Sequence, residues 1–408
     1  MVKKIGQFIY SWGNGHYSRM MSLNDELPNF IKEYESHFAS KDEIYQKLLK
    51  RFPSNYVHES LAPTPIDGRY GPDVVKSMLN VLLPIQGQPP IVKQVISYLR
   101  RQRQLFDSQK FDLVINDGDM GPNVLAKNRN IPSIFITNQF KPRLWKSRFY
   151  FYPGVLFIAK QIAKATKIVV ADTPPPYTMC EYNLNFPDSL KHKVIYAGHF
   201  ASNKSKKTLK KSELEQLVEG ERFGYWMRTG NKSTNDITGK KYEMAFSYIQ
   251  NEKRIISHAR ADPSIDKVRG RDGRTYSISE ALEKKVDWLQ IDVGFLTESE
   301  KENVLDNCQY AVINGSHTVM GEIIGVRGKP IVGIPVYDEQ TNQIEWAQEH
   351  KLGIMANNTN QLVSGIAKIK DSYSYYEESI SEYQKHFIGN GARTTAKIAF
   401  EMLNQDKR

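Results

Sequence analysis

Residues 310–343 combine a turn that suits a phosphate with side chains that suit a sugar. The apolar runs at 310–313 and 331–336 predict two buried strands, and 318–326 between them has helical spacing. In such a βαβ unit the helix N-terminus, with its free N–H groups, lies at the carboxyl edge of the sheet and can bind a diphosphate. The polar residues after the second strand are expected on a loop, where they could bind sugar hydroxyls: Asp338, Glu339, Gln340, Asn342 and Gln343. The alternative is an ordinary βαβ unit followed by a plain polar loop.

Two further polar positions follow predicted strands in the first half of the chain. His16 comes after the strand at 5–11 and a turn in which Gly13 and Gly15 let a ligand approach the backbone. Asp117 and Asp119 follow the strand predicted at 111–116. His16 is therefore expected at the start of the following helix, at the carboxyl edge of the first strand.

These motifs resemble those of a known family. The stretch from 310 to 343 resembles the donor-binding signature of GT-B glycosyltransferases, in particular the UDP-glycosyltransferases and the lipid-linked N-acetylglucosaminyltransferases. Gly13, Gly15, His16 and Arg19 resemble the acceptor-side loop of the same enzymes, and the segments 112–117 and 131–139 are similar to archaeal members. One departure is Gly315-Ser316-His317, where many members have a Gly-Gly pair.

The resemblance implies a role for each catalytic candidate. His16 would be the general base, and Asp117 or Asp119 would orient its ring. Two other interpretations of the aspartates stay open: a manganese-holding Asp-x-Asp motif of the GT-A fold, or a helix N-cap before Pro122.

The donor contacts are implied in the same way. Ser316, His317 and Thr318 would hold the diphosphate, Glu322 the ribose, and Glu339-Gln340, or else Asn342 or Gln343, the sugar. Phe295 would flank the base. The remaining implied donor contacts are glycines and a threonine in turns: Gly15, Thr229, Gly230 and Gly315.

The implied fold class is α/β of the GT-B type, with two Rossmann-like domains whose parallel sheets face a central cleft. The length of 408 residues suits two domains. We expect an acceptor-side domain at 1–200, a linker at 201–221, a nucleotide-sugar-binding domain at 222–390, and a helix within 391–408 that packs back on the first domain.

The net charge of +11 predicts an anionic partner. Cys180 and Cys308 are far apart in sequence and predict neither a disulfide framework nor a zinc site. Residues 1–4 run straight into a strand without a signal-type apolar core, and no apolar segment is long enough to span a bilayer. A cytoplasmic protein is expected, and the family resemblance implies metal-independent catalysis without a cofactor.

Residues 141–167 mix Lys and Arg with aromatic side chains and contain no acidic residue. This composition is typical of a segment that lies in an anionic membrane interface, here the inner face of the cell membrane. It would favour a lipid- or polyprenyl-linked acceptor. A core helix with a solvated basic rim is the alternative, and no motif supports contact with nucleic acid.

The leading hypothesis is an inverting transferase that moves a sugar from a UDP-sugar to a hydroxyl. One alternative is a UDP-sugar 2-epimerase of the same fold, although 315–322 matches its donor turn poorly. Another is a non-catalytic binder of nucleic acid or anionic membrane.

Overall fold

The chain forms two compact units, each built around its own sheet. The computed structural model describes residues 2–11, 14–68, 71–144, 152–201, 211–228, 232–260 and 262–405. The first unit comprises Met1–Phe200 with Asn390–Arg408, and the second comprises Ala201–Gly389.

The described strands of the first unit are β1 (Lys3–Ile9), β2 (Tyr34–Ser40), β3 (Val57–Glu59), β4 (Asp67–Gly68), β5 (Gly71–Pro72), β6 (Leu113–Asp117), β7 (Ser133–Thr137), β8 (Lys167–Val170) and β9 (Val194–Tyr196). Seven of them form a parallel sheet in the order β3-β2-β1-β6-β7-β8-β9. The strands β4 and β5 pair separately as an antiparallel hairpin. The sheet centre, β1 and β6, carries the His16 and Asp117 segments.

The helices described in the first half of the chain are α1 (Asn14–Glu26), α2 (Asp42–Arg51), α3 (Val74–Leu79), α4 (Ile91–Gln109), α5 (Gly121–Asn128), α6 (Tyr152–Ile162) and α7 (Glu181–Leu184). The crossovers β6-α5-β7 and β7-α6-β8 join parallel neighbours, as expected of a doubly wound α/β sheet.

The described strands of the second unit are β10 (Gly224–Met227), β11 (Arg254–Ser257), β12 (Lys267–Gly270), β13 (Thr275–Tyr276), β14 (Trp288–Val293), β15 (Tyr310–Ile313), β16 (Ile331–Gly333) and β17 (Gly353–Met355). Their order is β13-β12-β14-β11-β10-β15-β16-β17. In this order, the six strands β14, β11, β10, β15, β16 and β17 are parallel, whereas β12 and β13 form an antiparallel edge.

The remaining described helices are α8 (Glu213–Leu217), α9 (Lys232–Phe246), α10 (Ile278–Glu283), α11 (Glu298–Asn307), α12 (His317–Met320), α13 (Asp338–Glu349), α14 (Thr359–Asp371), α15 (Tyr373–His386) and α16 (Gly391–Gln405). The helix α12 continues into a π-helical segment, Gly321–Val326. The helices α8, α10 and α11 each begin with a capping box, in which a Ser or Thr and a Glu three residues later satisfy the first N–H groups. Among the described residues, no helix combines the length and the apolar character that crossing a bilayer requires.

Each unit has a dense core. In the first, Ile5 and Ile115 of the central strands pack in one cluster with Ala399 and Met402 of α16. In the second, Trp226, Trp288, Trp346 and Tyr242 are fully buried around the sheet. These cores account for the rigid edges from which the candidate site residues extend.

The structure differs from the sequence-based expectations in three places. Residues 338–343, expected on a loop, form the first two turns of α13. His16, expected to follow a turn and precede a helix, already lies in the first turn of α1. The segment 30–105, whose sequence indicates charged helical stretches and a Pro/Gly-rich loop around 84–90, also contains β2 and β3, which pair with β1 and with each other in the sheet.

Candidate functional site

His16, Asp117 and Arg19 form one hydrogen-bonded cluster at the carboxyl edge of the first sheet. The His16 Nδ1 atom lies 2.6 Å from Asp117 Oδ1. Arg19 binds both carboxylate oxygens, with Nε 2.8 Å from Oδ2 and Nη2 2.7 Å from Oδ1. Because α1 brings residues 16 and 19 onto one helical face, both side chains reach the end of β6.

The hydrogen bonds of this cluster determine which nitrogen of His16 carries a proton. Burial alone would raise the pKa of Asp117, but Arg19 and His16 outweigh it, and the pKa is lowered. An ionised carboxylate only accepts hydrogen bonds, so His16 Nδ1 donates to it. Arg19 Nη2, 2.9 Å from Nδ1, therefore donates to Asp117. The lone pair is left on His16 Nε2, which is the state a general base requires.

Exposure separates the roles of the three side chains. Asp117 is fully buried and the Arg19 side chain is 5% exposed, whereas the His16 side chain is 22% exposed. The neighbouring Gly118 has a φ of +78°, and a Cβ there would stand 2.8 Å from His16 Cε1. Only glycine fits this turn without displacing the imidazole.

Asp119 belongs to a different cluster. Its Oδ1 accepts from the Tyr98 hydroxyl at 2.5 Å and the Gly121 N–H at 3.3 Å, and Ser60 Oγ lies 3.5 Å from Oδ2. Burial raises its pKa to about 6. The structure thus places Asp117, and not Asp119, against His16. Asp117 also faces a guanidinium, which is unfavourable for a metal site shared by the two carboxylates.

In the second unit, the predicted phosphate turn joins β15 to α12. Gly315 has a φ of +87° and Ser316 is the N-cap residue of α12. Gly315 and His317 are buried, whereas Ser316 and Thr318 are half-buried. The Ser316 N–H donates to Asn314 Oδ1 at 3.2 Å, which fixes the turn.

Glu322 lies in the π-helical segment and forms an ion pair with Lys301 of α11. The Glu322 Oε1 and Lys301 Nζ atoms are 2.9 Å apart, and both side chains remain about one-fifth exposed. The carboxylate predicted to bind ribose is therefore already paired with a cation. A ribose hydroxyl would have to share this carboxylate with Lys301.

The residues predicted to bind the sugar have unequal access. Gln340 is buried, and its Oε1 caps α13 by accepting from the Val336 N–H at 2.9 Å. Asn342 and Gln343 are fully buried. Glu339 is half-buried in the first turn of α13 and accepts from Gln343 Nε2 at 3.2 Å. Glu339 is thus the most accessible of the four.

Four other residues are predicted to contact the donor, and the structure describes two of them. Phe295 follows β14 and is 56% exposed, so its ring is available to stack on a base. Gly15 lies half-buried in the first turn of α1. Thr229 and Gly230 lie outside the described residues.

The second unit contains a series of hydrogen-bonded polar side chains that the sequence did not indicate. His258 Nε2 lies 2.7 Å from Asp292 Oδ1, and Gln290 Nε2 donates to Asp292 Oδ2 at 2.7 Å. Arg254 Nε donates in turn to Gln290 Oε1 at 2.8 Å. A histidine directly after a strand, at the same sheet edge as Phe295, is the sequence feature that could have indicated this group. Its partner Asp292 is thirty-four positions away, so the pairing itself was not predictable from the sequence.

The basic and aromatic segment 141–167 is described only in part, since 145–151 lie outside the described residues. Its helix α6 buries Ala159 and Ile162 and exposes Leu156, Phe157 and Ile158. The helix therefore packs on the core through Ala159 and Ile162 and has an apolar outer face.

Comparison with known proteins shows which sequences and structures this chain is similar to. No family model matches the chain. Two proteins named "Uncharacterized glycosyltransferase", from Methanosarcina mazei and Methanosarcina acetivorans, are each 28% identical over 235 residues. The match covers 54% of this chain and 58% of each relative, so the chain spans little more than half the length of the curated relatives it matches.

Solved structures match over nearly the whole chain. The glycotransferase of kitacinnamycin is 12% identical with a TM-score of 0.65, covering 99% of this chain and 100% of that one. Phytolacca americana UGT2, complexed with UDP-2-fluoro-glucose and pterostilbene, is 13% identical with a TM-score of 0.63 and covers 98% and 99%. UDP-GlcNAc 2-epimerase from Neisseria meningitidis, bound to UDP-GlcNAc, is 14% identical with a TM-score of 0.55 and covers 98% and 99%. The chain therefore has the GT-B fold, and its predicted resemblance to GT-B glycosyltransferases is confirmed.

Proposed function

We propose that the chain is an inverting glycosyltransferase that moves a sugar from a UDP-sugar to a hydroxyl acceptor. The observation that carries this proposal is the 2.6 Å contact between His16 and the ionised, buried Asp117. It leaves His16 Nε2 as the base that removes the acceptor proton while the oxygen attacks the anomeric carbon. The names of the Methanosarcina relatives support the same reaction class.

The second unit would hold the donor. Its N–H groups at residues 316–318 would stabilise the charge that builds on the leaving diphosphate. Glu322 would bind the ribose, Glu339 the sugar and Phe295 the base. No metal or cofactor is needed for these steps, because the helix N-terminus supplies the positive charge. The UDP-bound neighbours support a UDP-sugar donor.

The acceptor would be lipid- or polyprenyl-linked, and the enzyme would work in the cytoplasm at the inner face of the cell membrane. The support is the outer face of α6, where Leu156, Phe157 and Ile158 are exposed beside Lys160. Apolar side chains with a basic neighbour are typical of a membrane interface.

The test replaces the proposed base. His16→Ala should lower transfer by about 10²- to 10⁴-fold and leave the UDP-induced rise in melting temperature intact. His192→Ala, at an exposed histidine in the first unit, is the matched control and should change neither. Equal loss of transfer and UDP binding in His16→Ala would show that His16 is structural or a donor contact.

A UDP-sugar 2-epimerase is the second candidate, favoured by one observation: proteins of that name share the fold. Incubation with UDP-N-acetylglucosamine alone would then yield the manno epimer, whereas a transferase yields none. A non-catalytic binder would be indicated if RNA, and not UDP, raised the melting temperature.

A further inference from the structure

Lys301 is a charged side chain of the second unit to which the proposed reaction gives no role. Its Nζ atom lies 2.9 Å from Glu322 Oε1 and 3.2 Å from Glu298 Oε2. Glu298 is 86% exposed, whereas Lys301 and Glu322 are 23% and 22% exposed. Burial alone would lower the pKa of Lys301, but the charges of Glu322 and Glu298 outweigh it and raise that pKa. The ammonium therefore stays charged at neutral pH, with the half-buried Glu322 as its main partner.

The contact with Lys301 fixes one oxygen of the Glu322 carboxylate and leaves the other open. Oε1 faces the ammonium, and among the residues that the structure describes Oε2 has no hydrogen bond or ion pair. A carboxylate held at one oxygen cannot turn freely, so the direction in which Oε2 accepts hydrogen bonds is set before any ligand binds. The ion pair thus pre-organises an acceptor for hydroxyl groups.

The backbone that carries Glu322 is also held in place by α11. Glu322 lies in the first turn of the π-helical segment Gly321–Val326, and its carbonyl accepts from the Arg327 N–H at 3.0 Å. The Arg327 side chain pairs with Glu302 of α11 at 3.2 Å. Short π-helical turns of this kind are frequent at functional sites. The helix α11 therefore fastens both ends of the segment, at Glu322 through Lys301 and at Arg327 through Glu302.

The same helix begins close to the predicted base contact. Phe295 is followed by Thr297, the N-cap residue of α11, whose side chain accepts from the Glu300 N–H at 3.3 Å. One capped helix therefore joins the ring proposed to flank the base to the lysine that fixes the carboxylate proposed to bind the ribose. The spacing between these two nucleoside contacts is set by a single element.

We propose, resting on the proposed function in which Glu322 binds the ribose, that Lys301 is a positioning residue that makes the donor site selective for ribonucleotides over deoxyribonucleotides. The Glu322 carboxylate accepts hydrogen bonds from the two ribose hydroxyls, and Lys301 holds it in the orientation that receives both. A nucleotide without these hydroxyls leaves a fixed, half-buried carboxylate unpaired, whereas a mobile carboxylate would turn to water. The donors are thus ribonucleoside diphosphate sugars, and thymidine diphosphate sugars, which lack one hydroxyl, are disfavoured.

The experiment compares the binding of UDP and of dideoxy-UDP, which lacks both ribose hydroxyls, by calorimetry on the full chain. The wild type should bind UDP at least about tenfold more tightly, because each lost hydroxyl removes a hydrogen bond to a charged acceptor. Lys301→Met should weaken UDP binding by about 2- to 13-fold, the cost of ordering one free side chain, and dideoxy-UDP binding by less than about twofold. Lys301→Arg should restore the preference. The matched control is Lys284→Met, at an exposed lysine that pairs with Glu280 on the surface, and it should bind both ligands like the wild type.

A double-mutant cycle separates positioning of the carboxylate from general attraction of an anionic nucleotide. In a Glu322→Gln background, Lys301→Met should have no further effect on UDP binding, since the lysine acts through that carboxylate. Equal weakening of UDP and dideoxy-UDP binding by Lys301→Met would show that the lysine only attracts the diphosphate, and it would overturn the proposal. Lys301→Ala takes the place of Lys301→Met if that variant does not fold.

Two outcomes distinguish failure of this role from failure of the proposed function. If the wild type prefers UDP to dideoxy-UDP and Lys301→Met keeps that preference in full, the donor site stands and only the role of Lys301 is refuted. If the wild type neither binds UDP nor transfers a sugar from it, the proposed function fails, and the role of Lys301 fails with it.

Discussion

Replacing Arg19 by Met tests whether a buried ion pair holds the His16–Asp117 cluster together. The side chain of Arg19 is 5% exposed and binds both oxygens of a carboxylate that is fully buried. Removing one partner of such a pair typically costs about 3–5 kcal/mol, because the other charge stays buried without it. For a unit of this size each kcal/mol lowers the melting temperature by about 2–4 °C, so we expect a fall of about 6–20 °C.

The pH dependence of that loss gives the sharper test. In the wild type the pKa of Asp117 is lowered, so this group stabilises the fold above its unfolded pKa of about 3.9 and the contribution is lost as pH falls through the folded value. Without Arg19, burial raises that pKa, and ionisation then costs stability as pH rises above about 4. The stability deficit of Arg19→Met should therefore be largest at neutral pH and shrink toward pH 4.

The assay is urea unfolding of both proteins between pH 4 and pH 8, with Arg271→Met as the control. Arg271 pairs with Asp287 on the surface, where an ion pair contributes about 1 kcal/mol or less. A deficit for Arg19→Met below about 1 kcal/mol at pH 7, or one that grows as pH falls, would refute the reasoning.

Three other changes have defined outcomes. Asp119 has a pKa raised to about 6, so wild-type stability should fall by about 2 kcal/mol between pH 4 and pH 7 through this group; unfolding of Asp119→Asn should lack that fall. Gly315→Ala should cost about 1–3 kcal/mol in thermal unfolding, because of its positive φ and a Cβ only 2.6 Å from Ile344 Cδ1. Phe295→Ala should weaken UDP binding by about 5- to 150-fold in calorimetry if the ring stacks on the base, whereas Phe295→Tyr should preserve it.

Sequence reasoning located the central strands well because their apolar runs are unambiguous. The strand predicted at 310–313 is β15 without change, and the strand predicted at 111–116 is β6 shifted by one or two residues. Pairing His16 with one of the two aspartates came from the family resemblance, and the structure shows that both lie at one sheet edge because β1 and β6 are parallel neighbours.

The choice between the two aspartates could not follow from the sequence. Asp117 ends β6 and Asp119 lies two residues later, across a glycine with a φ of +78°. That turn sends the second carboxylate toward Tyr98, a residue of the distant helix α4. The ion pair between Glu322 and Lys301 could not be predicted for the same reason, since it joins α11 to the π-helical segment, which lies about twenty positions later in the sequence.

The prediction of a loop at 338–343 was wrong because of the residues that begin the helix. A polar run after Pro335 looks like a loop, but Asp338 and Glu339 are favourable in the first turn of a helix. Gln340 then closes the cap by accepting from the backbone of Val336. The exposure of the apolar side chains at 75–83 could not be predicted from the sequence, because an apolar helical run normally predicts burial.

The return of α16 to the first unit constrains how the chain matures on the ribosome. Ala396, Ile398, Ala399, Met402 and Leu403 complete the core around β1 and α1. The intervening unit, Ala201–Gly389, is synthesised before them. At about 5–20 residues per second, roughly 190 residues take some 10–40 s, during which the apolar groove that awaits α16 stays open. Chaperone capture of the chain should therefore persist until α16 has been synthesised and has packed on the first unit.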